Sequence, residues 1–105
     1  MKAINAVKLS KGAWVAVPDE DIIKAMSLLG RTEGIFGEPA GVAAIAGIKK
    51  AVELGIISPN ETVTTIVTGN GLKDPVNGQK AVSMPEPMKA NLEELDKFLK
   101  EKGAI

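Results

Sequence analysis

The chain has 105 residues, 45% apolar and 25% charged, with Lys plus Arg equal to Asp plus Glu at 13 each and no cysteine or histidine. That balance excludes an electrostatic footprint for nucleic acid or an anionic membrane. The missing residue types exclude a disulfide framework, a Cys/His zinc site, a thiol nucleophile and any histidine-based triad. A chain this long buries roughly 65% of its unfolded surface when it folds as one unit, so a single segment over 1–105 with a modest core is expected. Met1-Lys2-Ala3-Ile4-Asn5-Ala6-Val7-Lys8 has no apolar leader and no cleavage pattern. No stretch approaches ~20 uncharged apolar residues, so a cytoplasmic protein is expected.

Ala13-Trp14-Val15-Ala16-Val17, closed by Pro18, reads as a strand buried on both faces. Asp19 is expected to cap a helix whose first turn holds Glu20 and Asp21. Ile22, Met26 and Leu29 recur at helical spacing with Ile23 beside them, and Gly30 offers a left-handed stop. Pro39 suits the first position of a second helix running to about Leu54, with Gly55 as its stop. Ala40, Gly41, Ala43, Ala44, Ala46 and Gly47 make its early surface flat. Two glycines weaken an isolated helix by ~2 kcal/mol, and in return they let a sheet or a flat ligand lie close.

Ser58-Pro59-Asn60-Glu61 reads as a turn before Thr62-Val63-Thr64-Thr65-Ile66-Val67-Thr68, which is β-branched throughout and reads as a strand. Residues 75–88, with Pro75, Gly78, Pro85 and Pro87, read as an extended surface loop. Within 89–105 a final helix from about Leu92 to Lys102 starts at a capping box of Asn91 and Glu94, carries a Leu92, Leu95, Leu99 stripe, and ends at Gly103. Strands alternating with helices indicate an α/β architecture: a partial three-layer sandwich with a small, mostly parallel sheet flanked by helices.

Ligands of open α/β sheets sit beyond the carboxyl ends of strands, which singles out Thr68-Gly69-Asn70-Gly71. A hydroxyl and two glycines there either shape a tight turn or approach a ligand. The run is neither a P-loop nor a dinucleotide fingerprint, since it lacks a third glycine and a Gly-Lys-Ser/Thr and leads into Asp74-Pro75. Glu38, at the start of the second helix, is either a carboxylate favoured by the helix dipole or a group facing the same crevice. Lys73 reads as a solvated loop lysine.

These pieces also occur together in one family. Glu33-Gly34-Ile35-Phe36-Gly37-Glu38-Pro39-Ala40-Gly41-Val42-Ala43-Ala44-Ile45-Ala46-Gly47 and Thr68-Gly69-Asn70-Gly71-Leu72-Lys73-Asp74-Pro75 resemble the C-terminal segment of the threonine synthase family, lyases of the fold-type II pyridoxal-phosphate class. Ala6-Val7-Lys8-Leu9-Ser10 and Val17-Pro18-Asp19-Glu20-Asp21-Ile22 resemble it too, so the likeness covers about 3–75. It implies that the Thr68 hydroxyl bonds the cofactor's pyridine nitrogen, that Gly69, Asn70 and Gly71 line the ring, and that Glu38 sits near the same pocket. It also implies an amino-acid biosynthetic reaction, O-phosphohomoserine and water giving threonine and phosphate. A serine or threonine dehydratase parent fits less well, because those relatives carry a serine-glycine-glycine run at this place.

In that family the cofactor-holding lysine and the phosphate-cradling glycine loop precede the segment matched here. Lys49, Lys50 and Lys73 do not match the lysine motif. The expectation is a site wall with no catalytic residue and no metal, which binds pyridoxal phosphate in the parent enzyme and none alone. The implied partner is the missing N-terminal portion, or a second chain supplying it, within a homo-oligomer. The alternative is a non-catalytic α/β assembly or binding module derived from the same family.

Overall fold

A computed structural model describes residues 1–84 and 86–104; Pro85, placed above in the surface loop, and Ile105 lie outside the described residues. Among the described residues five helices follow one another: α1 Lys2–Ser10, α2 Asp19–Glu33, α3 Pro39–Glu53, α4 Pro75–Lys80 and α5 Leu92–Glu101, with a 3₁₀ turn at Gly71–Lys73.

The core is the seam between α2 and α3. Ala25, Met26 and Leu29 of α2 meet Val42 and Ala46 of α3, with Ile22, Ile23 and Ile45 at the margins. Burying side chains the size of Met26, Leu29 and Val42 contributes roughly 1.5–3 kcal/mol each. Val17 and Val67 bring the two apolar runs onto this seam, and Ala81 closes it from beyond α4.

The two runs lie outside the helices, and among the described residues no ladder forms. None of the backbone hydrogen bonds outside the helices involves 13–17 or 62–68, and the one β-bridge is an isolated antiparallel pair, Gly37 with Asn70. The expected sheet is therefore not formed among the described residues, and burial on both faces is corrected to a half-packed alternation. Val15, Val17, Thr65 and Val67 are half-buried, while Trp14, Ala16, Ile66 and Thr68 are exposed. The period of two survives, because it belongs to the extended backbone itself; the pairing does not, because it needs neighbouring strands.

Residues 2–10 form α1, closed by Lys11 at φ 54° and without a buried residue. Three local readings change. Pro18, not Asp19, is the residue before α2, at φ −74° and ψ 156°, and Asp19 joins Glu20 and Asp21 in the first turn. α2 runs through Gly30 to Glu33 and stops at Gly34, whose φ of 68° is the left-handed position glycine tolerates. The start of the expected 75–88 loop is α4, with Pro75 in its first turn. Asp74 Oδ1 caps it by accepting from Asn77 N at 3.2 Å.

At the C-terminal end Asn91 Oδ1 accepts from Glu94 N at 2.8 Å, the expected half of the capping box. Only part of the α5 stripe is covered: Leu99 is half-buried with Phe98, whereas Leu92 is exposed.

The chain is extended, at 62 × 29 × 19 Å with a radius of gyration of 18.5 Å, where a compact chain of this length has about 13 Å. Its accessible surface is 8348 Å² for 11.0 kDa, against about 5,600 Å² for a compact monomer.

The α4 cap titrates. The Asn77 side-chain amide, then the Asn77 backbone N–H, hold the Asp74 carboxyl below its ordinary range, with a smaller contribution from Lys80. A carboxyl with a lowered folded pKa stabilises the cap fully above the unfolded value of about 3.9. That stabilisation is lost as pH falls through the folded value. In an NMR titration Asp74 should protonate below about pH 3.9, and Asn77→Ala should move its midpoint upward.

Candidate functional site

The site is the place where the β-branched run ends. Thr68 is exposed at its tip, and the next three residues turn back across the start of α3. Glu38 N donates to Gly69 O at 2.9 Å and Gly71 N donates to Phe36 O at 2.9 Å, so two backbone bonds bracket the Gly37–Asn70 pair. Asn70 Oδ1 accepts from Leu72 N at 2.9 Å and starts the 3₁₀ turn. Lys73 N and Asp74 N, each at 3.1 Å from Asn70 O and Gly71 O respectively, complete it.

Glycine is required where these strands of chain touch. A Cβ on Gly41 would stand 3.0 Å from Gly69 N and 3.2 Å from both Gly69 O and Thr68 N, all backbone atoms. A Cβ on Gly71 would enter the Phe36 ring, which also lies against Gly78. Close approach, expected of the Gly/Ala surface of α3, is realised at Gly41. At Gly47 an added Cβ would meet nothing within 4 Å.

Glu38 is the residue before α3, at φ −71° and ψ 159°, but its side chain makes no capping bond to its own helix. It lies over Gly69 instead, where a Cβ would overlap it, and Oε1 accepts from Lys73 Nζ at 2.9 Å. The Glu38 side chain is 15% exposed and that of Lys73 65%. An ion pair with one partner this open contributes about 0–1 kcal/mol to stability. Lys73, read from sequence as a solvated loop lysine, is largely exposed but paired through its ammonium. Thr68, Gly69, Asn70, Gly71 and Glu38 thus all fall within one small wall.

A family model described as pyridoxal-phosphate dependent enzyme matches residues 1–69, from α1 to the first glycine of the turn. The chain belongs to that family. Membership places the segment in the α/β class, although the chain by itself is mostly helical. It is similar to threonine synthases: 45% identical over 100 residues to that of Methanocaldococcus jannaschii, covering 95% of this chain and 25% of the relative. It is 49% identical over 73 residues to that of Bacillus sp. (strain ULM1), covering 70% and 21%. Against that of Mycobacterium bovis it is 44% identical over 86 residues, covering 82% and 24%. The chain therefore spans about a quarter of the length of these curated relatives.

The residues present are compatible with one side of pyridoxal phosphate: an exposed hydroxyl ends the 62–68 run, and the carboxylate near it is matched by a cation. The space that Gly69 and Gly71 leave is taken by the Glu38 side chain and the Phe36 ring. A cavity of about 700 Å³ between α2 and α4, lined by Ile22, Ile23, Pro39, Asn77 and Lys80 among others, includes no residue of this turn. Among the described residues no cluster of carboxylates suits a metal ion, and no helix is long and apolar enough to cross a membrane.

Two participants escaped the sequence reading, Phe36 and the Lys73 tip. For Phe36 the available signal was an aromatic residue two positions before Glu38, with glycines downstream to receive it.

The two α3 glycines should separate cleanly in urea unfolding. Gly41→Ala gains up to about 1 kcal/mol of helix propensity but drives a methyl into rigid backbone at a cost of about 1–3 kcal/mol. A net loss is expected. Gly47→Ala, in open space, should stabilise the chain by up to about 1 kcal/mol.

Proposed function

We propose that the chain is the C-terminal portion of a threonine synthase, which turns O-phosphohomoserine and water into threonine and phosphate. Its part is the wall facing the cofactor's pyridine nitrogen. The observation that carries this reading is the exposed Thr68 at the end of an extended run, clamped to the start of α3 by the Glu38–Gly69 and Phe36–Gly71 backbone bonds. The similarity to threonine synthases supports it.

When bound, pyridoxal phosphate supplies an electron sink for elimination and replacement at an amino acid. Thr68 would donate its hydroxyl proton to, or accept one from, the ring nitrogen. A neutral hydroxyl does not hold a proton there as a carboxylate would, which makes the sink milder. Gly69, Asn70 and Gly71 would line the ring edge, with Glu38 beside them. The lysine that holds the cofactor and the loop that holds its phosphate would come from the remaining portion of the enzyme, in the same or another polypeptide. The chain alone would then be inactive.

The same reading accounts for the unpaired runs. Residues 13–17 and 62–68 would be strands of a mostly parallel sheet, completed by strands of the missing portion into a three-layer sandwich. Their exposed face, with Trp14, Ile66 and Thr68, would then be covered, as would much of the roughly 2,700 Å² by which the surface exceeds that of a compact monomer. In isolation such edges pair with whatever is available. Sedimentation equilibrium at micromolar concentration should therefore show dimers or larger species, and a well-behaved monomer would count against a missing portion.

Thr68→Val tests the assignment in the completed enzyme. Valine keeps the β-branched shape and strand propensity while removing the hydroxyl. An unpartnered buried acceptor costs about 1–3 kcal/mol, and part of this should appear in the transition state. Cofactor retention should weaken and turnover fall by roughly one to two orders of magnitude. Unchanged turnover and retention would reduce Thr68 to a turn residue.

A further inference from the structure

Among the described residues three ion pairs join neighbours on one helix: Lys24–Asp21, Lys50–Glu53 and Lys100–Asp96. Lys73–Glu38 is different, since it ties two elements 35 positions apart. Its place is also specific. A side chain at position 69 would overlap Oε1, Cδ and Cγ of Glu38, so the Glu38 side chain fills the space that glycine leaves free. The carboxylate thus lies on the residue that follows Thr68.

A carboxylate in that position conflicts with what a hydroxyl partner achieves. Thr68 leaves a ring nitrogen free to stay unprotonated, whereas an uncompensated negative charge nearby favours the protonated form. An ammonium at hydrogen-bond distance from the carboxylate cancels most of that field beyond the pair. The neighbouring acid, Asp74, is engaged on α4, where Asn77 Nδ2 donates to its Oδ2 at 2.8 Å. Lys80, also on α4, donates to Asn77 Oδ1 at 2.8 Å. Glu38 and Lys73 are therefore the charged groups that these elements bring to the end of the 62–68 run.

We propose that Lys73 is a positioning residue: it holds the Glu38 carboxylate over Gly69 and cancels its charge, so that Thr68 meets the cofactor nitrogen in neutral surroundings. The proposal rests on the assignment of Thr68 to that nitrogen. It gives a use to a pair too exposed to matter much for folding, and one that a solvated loop lysine would not have.

The test uses the complete holoenzyme containing this segment, loaded with pyridoxal phosphate isotopically labelled at the ring nitrogen. That nitrogen's NMR shift is followed against pH, and cofactor dissociation is measured alongside. Lys73→Met, at a side chain 65% exposed, should leave the fold intact and raise the apparent pKa of the nitrogen by about one unit. Lys73→Arg should restore wild-type behaviour. Adding Glu38→Gln to Lys73→Met should also restore it, since no uncompensated carboxylate remains. Identical nitrogen titrations in wild type and Lys73→Met would overturn the role of Lys73. If Thr68→Val weakens cofactor retention in that case, the Thr68 assignment stands and only Lys73 is misread. If Thr68→Val changes nothing either, the underlying assignment falls as well.

Discussion

Two backbone hydrogen bonds, Glu38 N to Gly69 O and Gly71 N to Phe36 O, hold this structure to its purpose. They join the approach to α3 with the end of the β-branched run, two segments separated along the chain by the whole of α3 and the loop after it. Everything at the site follows from that contact. Gly41 lets α3 come within van der Waals distance of the Gly69 backbone, Gly71 makes room for the Phe36 ring, and Gly69 makes room for Glu38. Val67 is then delivered to the α2–α3 seam while Thr68, one residue on, faces away from it. Inward valine and outward threonine are consequences of one register.

What the sequence made legible was mostly local. Pro39 opens α3 and Gly55 follows its end at φ 69°. Asn91 caps α5, and the β-branched run does end in a glycine turn. Each of these depends on a few adjacent residues. The failures involve competition or distance. Gly30 was expected to stop α2, but the left-handed position belongs to Gly34, four residues on, after Leu29 has been carried into the core. α4 forms in a stretch that Pro75 and Gly78 made look irregular, because Pro75 falls where a helix tolerates it and Asp74 caps it. The Lys73–Glu38 pair spans 35 positions and has no local signal at all.

The sheet is the instructive case. The alternation of Val15 and Val17 with Trp14 and Ala16, and of Thr65 and Val67 with Ile66 and Thr68, is the pattern of strands with one face on a helical layer. No hydrogen bond joins these runs to each other. A β-branched sequence specifies an extended backbone, but ladder formation needs neighbours of suitable register. A chain spanning a quarter of its relatives' length does not have to contain them. On the reading proposed above, the large exposed surface and the unpaired runs are two expressions of the same missing neighbours.

The central claim is that this segment supplies one wall of a cofactor site whose other walls lie elsewhere. It is tested most directly by mixing the chain with a polypeptide corresponding to the remaining, upstream part of the Methanocaldococcus jannaschii threonine synthase. Pyridoxal phosphate is then added and bound cofactor measured after gel filtration. The account predicts that the two polypeptides together retain one cofactor per complex and release phosphate from O-phosphohomoserine, while neither does so alone. Stoichiometric cofactor retained by this chain alone would contradict it, as would a stable complex that retains none.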